Sequence, residues 1–332
     1  MPERLDHFMS RAVAAYYAAR DPFGARGDFT TAPEISQAFG ECLGLWAAVA
    51  WQAMGRPDPV LLVELGPGRG TLMADALRAI AQVMPGFRAA LRLHLVEQSP
   101  LLRAAQARAL ADAAPLWHDR VEDLPPGPAL ILANEFLDAL PIRQFVRRGD
   151  TWRERFVENG AFTECPAEAA PPLPEDAPEG AIQEVSEAAR AVAAHLGARL
   201  LAQGGAALFL DYGPANRGFG ESLQALSAHG AVDPLADPGR ADLTAHVDFQ
   251  AVAEAATAAG AAAQGPVPQG IFLQSLGLVT RAAMLARAAP ASAGMQLSAA
   301  QRLIAPEGMG RLFKALALCH PALPTLPGFE TA

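Results

Sequence analysis

The chain has 332 residues, of which 51% are hydrophobic and 18% are charged, and its formal net charge at pH 7 is −9. This acidic balance argues against a nucleic-acid-binding protein, which needs a basic face. Cys42, Cys165 and Cys319 are far apart and odd in number, so they indicate neither a zinc site nor a disulfide framework. The length allows one large α/β domain with insertions or two smaller domains.

The first residues carry no recognisable targeting signal. Residues 1–6 lack the basic and apolar regions of a signal peptide. The longest apolar runs of the chain are also too short to span a membrane. We therefore expect a bacterial cytoplasmic protein with no membrane span and no nucleic-acid partner.

The N-terminal part of the chain is predicted to be helical. Apolar residues at three- and four-residue steps from Leu5 to Tyr17 predict an amphipathic helix that ends near residue 21. After a loop at residues 23–29, the sequence Thr31-Ala32-Pro33-Glu34 has the form of a capping box and predicts a helix over about 33–53. Thr31 has two open roles, a helix cap or a ligand contact in a lid loop. We assign residues 1–57 to an N-terminal helical and lid segment.

Residues 60–72 (VLLVELGPGRGTL) predict a buried strand, a glycine-rich turn and a helix. Glycines let the backbone approach a ligand closely, and the turn would present N–H groups at a helix N-terminus. A dinucleotide fingerprint counted from Gly66 needs its third glycine at position 71, where Thr71 stands. The pattern E-x-G-x-G-x-G, formed by Glu64, Gly66, Gly68 and Gly70, is instead associated with S-adenosylmethionine in class I methyltransferases. A purely structural turn is the alternative.

The next predicted strands end in polar residues. A strand over residues 91–97 ends in Glu97, whose carboxylate can accept hydrogen bonds from both ribose hydroxyls of a cofactor; a surface carboxylate is the alternative. A short third strand is expected at residues 117–120. The buried strand at residues 129–133 is followed by three polar side chains where cofactor and substrate would meet, Asn134, Glu135 and Asp138. Helix capping by Asn134 or Asp138 is the alternative for this group.

The second half of the chain continues the α/β alternation around two insertions. Extended runs at 142–146 and 152–157 predict an inserted hairpin. A helix is expected over about 182–202, a strand at 206–210, a loop-rich segment at 214–248, and a helix over 249–259 with Asp248 as its N-cap. Residues 297–303 are predicted helical and residues 310–318 strand-like. We assign residues 58–332 to a methyltransferase core with insertions at about 142–180 and 214–248.

Several segments together resemble the MidA-like family of class I S-adenosylmethionine-dependent methyltransferases. The most specific are GDFTTAPEISQAFGE at 27–41 and NEFLDALP at 134–141, and VELGPGRGTL, LVEQSP, DYG, VDPLADPG and ADLTAHVDF also match. The resemblance implies a Rossmann-like α/β fold, with a mostly parallel sheet and helices on both faces. The chain departs from the family pattern at Ala14-Ala15, where His-Gly is usual.

The resemblance also implies an activity, because mitochondrial members of this family assist the assembly of respiratory complex I. It implies a protein arginine methyltransferase that modifies a complex I subunit, with no metal. By position, Gly66, Gly68 and Gly70 would line the cofactor, Glu97 would hold its ribose, and residues 134–138 would face the substrate. A guanidinium is a poor nucleophile until carboxylates fix its plane, and Glu135 and Asp138 are our candidates. A small-molecule methyltransferase and a non-catalytic assembly factor that keeps the cofactor as a structural ligand are the alternatives.

Overall fold

The computed structural model describes residues 1–19, 31–227 and 230–330, so the loop predicted at 23–29 lies outside the described residues. The helices are α1 (Leu5–Ala19), α2 (Ala32–Ile35), α3 (Gln37–Ala53), α4 (Thr71–Val83), α5 (Pro85–Ala90), α6 (Pro100–Ala109), α7 (Glu187–Gln203), α8 (Phe249–Ala258), α9 (Gln269–Ser275), α10 (Leu278–Ala288), α11 (Ala293–Ile304) and α12 (Met309–Leu312). The strands are β1 (Glu3–Arg4), β2 (Val60–Leu65), β3 (Leu91–Val96), β4 (Leu116–His118), β5 (Ala129–Asn134), β6 (Arg143–Arg148), β7 (Thr151–Glu158), β8 (Ala161–Pro166), β9 (Ile182–Val185), β10 (Gly205–Tyr212), β11 (Gln224–Ser227), β12 (Gly230–Val232), β13 (Asp242–Thr244), β14 (Ala262–Pro268) and β15 (Phe313–Cys319).

A seven-stranded sheet forms the centre of the molecule, in the order β14-β15-β10-β5-β2-β3-β4. The five strands from β10 to β4 are parallel, and β15 runs antiparallel to both β10 and β14. Every residue of β2 and of β5 is buried, as expected for strands covered on both faces. The predicted α/β class, with a mostly parallel sheet, is confirmed.

The two faces of this sheet bury separate cores, because successive side chains of a strand point to opposite faces. In β2, Leu62 packs with α3, α4 and α9 to α11, whereas Val63 packs with α7 and α8. Helices therefore cover both faces. The third core joins α1 to the inserted sheets, with Leu5 and Met9 packed among Ile142 and Leu243.

Two smaller antiparallel sheets lie outside the central one. The predicted hairpin is present as β6 and β7, which with β1, β8 and β9 form a five-stranded sheet. The segment predicted as loop-rich contains the three-stranded sheet β12-β11-β13. Its strands have three or four residues each, too few to show an alternating pattern. The division of the chain at residues 57 and 58 stays a prediction, and α3 packs against α4 within the first core.

Four local predictions differ from the structure. The helix predicted over about 33–53 is two helices, α2 and α3, separated at Ser36, whose backbone is extended. Residues 182–185 form β9, which pairs with β6. Helix α7 begins at Glu187, and the side chain of its N-cap residue Ser186 accepts the Ala189 N–H. Residues 309–312 form α12, so the last strand begins at Phe313. The capping box is also absent: Thr31 makes no side-chain cap bond, and the Glu34 carboxylate accepts the Thr71 hydroxyl at 2.5 Å instead.

In the part of the chain that is described, no helix has the length and apolarity to cross a membrane.

Candidate active site

A cavity of 1410 Å³ opens at the carboxyl ends of the parallel strands. Its inner wall is made by the residues that follow β2, β3 and β5, and its outer side by α1, β13 and α12. In sheets of this kind ligands bind at the carboxyl ends of the strands, where the connections diverge. The predicted site residues Thr31, Glu64, Gly66, Gly68, Glu97, Asn134, Glu135 and Asp138 all line this one cavity.

The glycine loop has the backbone that its sequence predicts. Gly66, Gly68 and Gly70 have φ values of 63°, 51° and 84°, in the left-handed region that favours glycine. A Cβ at Gly66 would also lie 3.1 Å from the Phe136 ring. Gly70 does not line the cavity itself but is the N-cap of α4. The loop therefore brings bare backbone to the cavity at a helix N-terminus.

Glu64 supplies a buried carboxyl group with an unsatisfied oxygen next to this loop. Its side chain is 3% exposed, and Oε2 has no hydrogen-bond partner among the described residues. Burial, reinforced by the charge of Glu97, raises the pKa of Glu64 well above its usual range. A buried acceptor of this kind fits a cationic ligand, and S-adenosylmethionine carries both an ammonium and a sulfonium group. The polar groups that line the cavity therefore fit this cofactor.

Glu97 follows β3 directly and is held in place by two neighbours. Its Oε1 accepts the Ser99 N–H at 2.8 Å, and its Oε2 accepts Nε2 of Gln106 at 3.3 Å. The same Gln106 nitrogen donates to the Gly68 carbonyl at 2.7 Å. Gln106 thus connects the glycine loop to Glu97, the residue predicted to bind the ribose. Its position inside α6 did not indicate this role in the sequence. Burial raises the pKa of Glu97.

Asn134 and Glu135 lie where β5 ends, and the two side chains bond each other. Nδ2 of Asn134 donates to Oε1 of Glu135 at 3.1 Å, and the Ala32 N–H donates to the same oxygen at 3.2 Å. Glu135 therefore connects the N-terminus of α2 to the end of β5. Burial and, second, the charge of Asp138 raise the pKa of Glu135 to about 7. Thr31, beside Ala32, is 8% exposed in the cavity wall.

Asp138 has a different environment from Glu135. It is 6% exposed, and its Oδ1 finds no hydrogen-bond partner in the described chain. Burial raises its pKa to about 7. Residues 135–138 form bends and a turn and no helix. Asp138 consequently caps no helix, and its buried carboxylate is open toward the cavity.

Asp211, which lies in the motif DYG and for which no role was predicted, shapes this turn. Oδ2 of Asp211, at the end of β10, accepts the N–H groups of residues 136, 137 and 138 at 3.1, 2.8 and 3.3 Å. Its Oδ1 accepts the Tyr212 N–H at 2.8 Å. Burial, followed by the charge of Asp138, raises the pKa of Asp211 well above its usual range. The three N–H groups make Asp211 a positioning residue for Glu135 and Asp138.

The outer side of the cavity is held by hydrogen bonds between segments distant in sequence. The Tyr17 hydroxyl donates to Oδ1 of Asp242 at 3.2 Å, which joins α1 to β13. The Tyr212 hydroxyl donates to Oγ1 of Thr244 at 2.6 Å. Lys314, the only lysine of the chain, is buried and donates to the carbonyls of residues 213, 311 and 312. These bonds fix the strand ends around which a second ligand would bind.

A central sheet in this order, with its glycine loop after β2 and buried carboxylates along the same edge, defines a class I S-adenosylmethionine-dependent methyltransferase. Residues 42–267 match the family model described as "Putative S-adenosyl-L-methionine-dependent methyltransferase", and the chain belongs to this family. The chain is thus an S-adenosylmethionine-dependent methyltransferase.

Named relatives cover almost the whole chain. It is 37% identical to the protein arginine methyltransferase NDUFAF7 homolog, mitochondrial, of Drosophila melanogaster, over 95% of this chain and 80% of that protein. The human protein arginine methyltransferase NDUFAF7, mitochondrial, is 34% identical over 95% of this chain and 79% of its own. A Burkholderia thailandensis protein crystallised with S-adenosyl-homocysteine superposes with a TM-score of 0.85 at 29% identity, covering all of this chain (100%) and 91% of its own.

These comparisons confirm the family resemblance, the methyltransferase class and the cofactor predicted from the sequence. The roles of individual residues stay predictions, namely those of Glu64, Gly66, Gly68, Gly70, Glu97, Thr31 and Asn134 toward the cofactor and of Asn134, Glu135 and Asp138 toward the substrate. What the structure adds is that all of them except Gly70 line one cavity.

Proposed function

We propose that this chain is a protein arginine N-methyltransferase of the bacterial cytoplasm that modifies a subunit of respiratory complex I and so supports assembly of the complex. The names of its relatives support the arginine specificity. The observation that carries the proposal is the open, buried Oδ1 of Asp138 beside Glu135, next to the glycine loop. An acceptor site with two carboxylates calls for a cationic side chain that donates several hydrogen bonds.

The cofactor, when bound, supplies an electrophilic methyl group. The chain contributes the binding and orientation that such a transfer needs. The N-terminus of α4 and the loop backbone at Gly66 and Gly68 would hold it, together with the carboxylate of Glu64. Glu97, already fixed by Ser99 and Gln106, would accept bonds from the ribose hydroxyls.

The acceptor carboxylates would act on the guanidinium in two ways. First, Glu135 and Asp138 would fix its plane and draw its delocalised charge toward themselves, leaving the reacting nitrogen more nucleophilic. Second, the methylated nitrogen must lose a proton, and a carboxylate with a pKa of about 7, such as Asp138, can take it up near neutral pH. The bonds from Asp211 to the turn keep both groups in position.

Mass spectrometry of complex I subunits from cells with and without the gene tests this function directly. We expect ω-N-methylated arginine in one subunit that disappears on deletion. Complementation with the Asp138→Asn chain should restore S-adenosylmethionine binding but not the modification.

Other outcomes would favour the competing functions. Unchanged arginine methylation, with assembly restored by Asp138→Asn, would identify a non-catalytic assembly factor. Methyl transfer to metabolites alone would identify a small-molecule enzyme.

A further inference from the structure

Helix α2 contacts both ends of the cavity, although it has only four residues. At the cofactor end, the hydroxyl of Thr71, the first residue of α4, donates to Oε1 of Glu34 at 2.5 Å. At the acceptor end, the Ala32 N–H donates to Oε1 of Glu135 at 3.2 Å. One short segment therefore connects the helix N-terminus after the glycine loop to a carboxylate of the predicted acceptor site.

Helix α2 and its N-cap residue lie beside the predicted cofactor position. Thr31, Pro33 and Glu34 line the cavity, and so does Thr71, to which Glu34 is hydrogen-bonded. A cofactor held at the N-terminus of α4 would therefore lie next to α2. Its binding would add contacts to α2 and stabilise the position of this helix.

The backbone on both sides of α2 is extended, so this turn is not part of a longer helix. Thr31 has a φ of −83° and a ψ of 164°, and Ser36, between α2 and α3, has a φ of −147° and a ψ of 121°. Ser36 is 3% exposed, and its hydroxyl has no hydrogen-bond partner among the described residues. A single helical turn has little stability of its own. The position of α2 therefore depends on its contacts, including the hydrogen bonds of Ala32 and Glu34.

The hydrogen bond from α2 helps to fix how Glu135 presents its carboxylate. Oε1 accepts the Ala32 N–H and Nδ2 of Asn134, which leaves Oε2 for a ligand. Burial and the charge of Asp138 raise the pKa of Glu135, and the Ala32 N–H opposes them because it favours the ionised form. A guanidinium binds best to a carboxylate that is both ionised and oriented. Displacement of α2 would therefore make Glu135 a weaker partner for an arginine side chain.

We propose that Glu34 and Thr71 are positioning residues for Glu135 that act through α2, so that a bound cofactor and a bound acceptor strengthen each other's binding. This proposal rests on the proposed function, since the acceptor is the arginine side chain that Glu135 would hold. A cofactor that holds α2 in place also holds the carboxylate of Glu135 in place. By thermodynamic linkage, the acceptor strengthens cofactor binding by the same factor. The chain would thus bind its acceptor most tightly when the cofactor site is filled.

Peptide affinity with and without cofactor measures this coupling. The full chain is titrated, by NMR, with the blocked tripeptide acetyl-Gly-Arg-Gly-amide, first alone and then saturated with S-adenosyl-homocysteine. We expect the bound cofactor to strengthen binding of the arginine tripeptide at least about fivefold in the wild type. Thr71→Val removes the hydroxyl at nearly constant shape and should abolish this strengthening. Thr71→Ser is the matched control, because it keeps the hydroxyl and should retain the strengthening.

Glu34→Ala removes the other partner of the same hydrogen bond and should have the same effect as Thr71→Val. The double variant should therefore show no further loss of coupling. Glu175→Ala is the control for the change of charge, since it removes an exposed carboxylate outside the cavity wall. Cofactor strengthening that persists in Thr71→Val and Glu34→Ala would overturn the proposal. Additive losses in the double variant would also overturn it, because the two side chains would then act separately.

A role of this hydrogen bond in stability alone gives a different result. It would lower the melting temperature of Thr71→Val and weaken the tripeptide equally with and without cofactor, so the strengthening by cofactor would stay at its wild-type value. That result would contradict the proposal and leave the proposed function standing.

Hydrogen exchange tests the link without any acceptor. S-adenosyl-homocysteine should slow amide exchange at residues 31–36 in the wild type, and this protection should be lost in Thr71→Val at saturating cofactor. Unchanged exchange at residues 31–36 would overturn the proposal whatever the peptide does. The citrulline analogue of the tripeptide, an uncharged isostere of arginine, tests the proposed function separately. If it bound as tightly as arginine while the protection still required Thr71, the proposed arginine acceptor would be wrong and the coupling through α2 would stand.

Discussion

The two ends of the cavity are built in different ways. The cofactor end comes from one stretch of the chain, which contains β2 with its glycine loop, β3 followed by Glu97, and α6 with Gln106. The acceptor end is gathered from α1, the ends of β5 and β10, the strand β13 of an insertion, and α12. The first end is a local feature of the sequence and the second exists only when distant segments meet. Substitutions should therefore separate cofactor affinity from acceptor binding.

The largest separation is expected from Gly68→Val. This substitution places a branched side chain at a φ of 51° in the cavity wall, where the backbone approaches the ligand. We expect calorimetry to detect no binding of S-adenosylmethionine, and NAD should bind neither the variant nor the wild type. Gly55→Val is the matched control, since Gly55 has a φ of 83° with open space around it and lies outside the cavity. Undiminished cofactor affinity in Gly68→Val would contradict the loop assignment.

The acceptor end should give the opposite result. Asp138→Asn and Glu135→Gln should keep cofactor affinity and lose methyl transfer by about a hundredfold or more, on the order of 3 kcal/mol of transition-state stabilisation. We expect the larger loss for Asp138, because its Oδ1 is open whereas Glu135 is partly occupied by Ala32 and Asn134. Single-turnover transfer, cofactor titration and thermal melting on each variant measure these effects. Normal methyl transfer by both variants would contradict the proposal that Glu135 and Asp138 hold the guanidinium.

The cofactor end could be predicted from the sequence better than the acceptor end, because it is built from residues close together in the chain. The strand, the turn and the cofactor of residues 60–72 could be predicted because burial, positive φ and helix start are all set by neighbours in sequence. The roles of Gln106, Asp211 and Asp242 could not be predicted, since each forms hydrogen bonds to segments distant in the sequence. The motifs DYG and ADLTAHVDF contain Asp211 and Asp242 but do not indicate these partners. The strand β9 was missed for a related reason: its four residues are extended only because they pair with β6.

A smaller effect is expected at the cofactor end from Glu97→Ala. The loss of hydrogen bonds between a charged group and buried hydroxyls should weaken S-adenosylmethionine by roughly 1–3 kcal/mol. The acceptor end should not respond, so affinity for the arginine tripeptide at saturating cofactor should be unchanged. Asp112→Ala, which removes an exposed carboxylate in the segment after α6, serves as the control. Unchanged cofactor affinity would reduce Glu97 to a surface carboxylate.

The smallest effect is a change of stability with pH that belongs to the acceptor end. Burial raises the pKa of Asp138 from its ordinary 3.8 to about 7, so the folded chain binds this proton more tightly than the unfolded chain does. The resulting stabilisation is complete below the unfolded pKa and is lost as the pH rises through the folded pKa. Asparagine does not titrate. Relative to wild type, Asp138→Asn should therefore gain about 1.4 kcal/mol in free energy of unfolding per pH unit between about pH 5 and pH 7, without cofactor.

The stability of Asp138→Asn has to be compared with that of the wild type at each pH, because other groups also titrate in this range. Burial lowers the pKa of His94, His118 and His246, which gives contributions of the opposite sign in an overlapping range. Those contributions are common to both chains and cancel in the difference. The pKa values of Glu135 and Asp211, which the charge of Asp138 raises, change with the variant and contribute to the difference. The arginine tripeptide should reverse the trend, because a bound guanidinium favours the ionised carboxylate and so binds more tightly as the pH rises through 7. A difference that stays flat with pH, together with pH-independent peptide binding, would show that Asp138 is ionised in the free protein and would remove the proton acceptor from the proposed reaction.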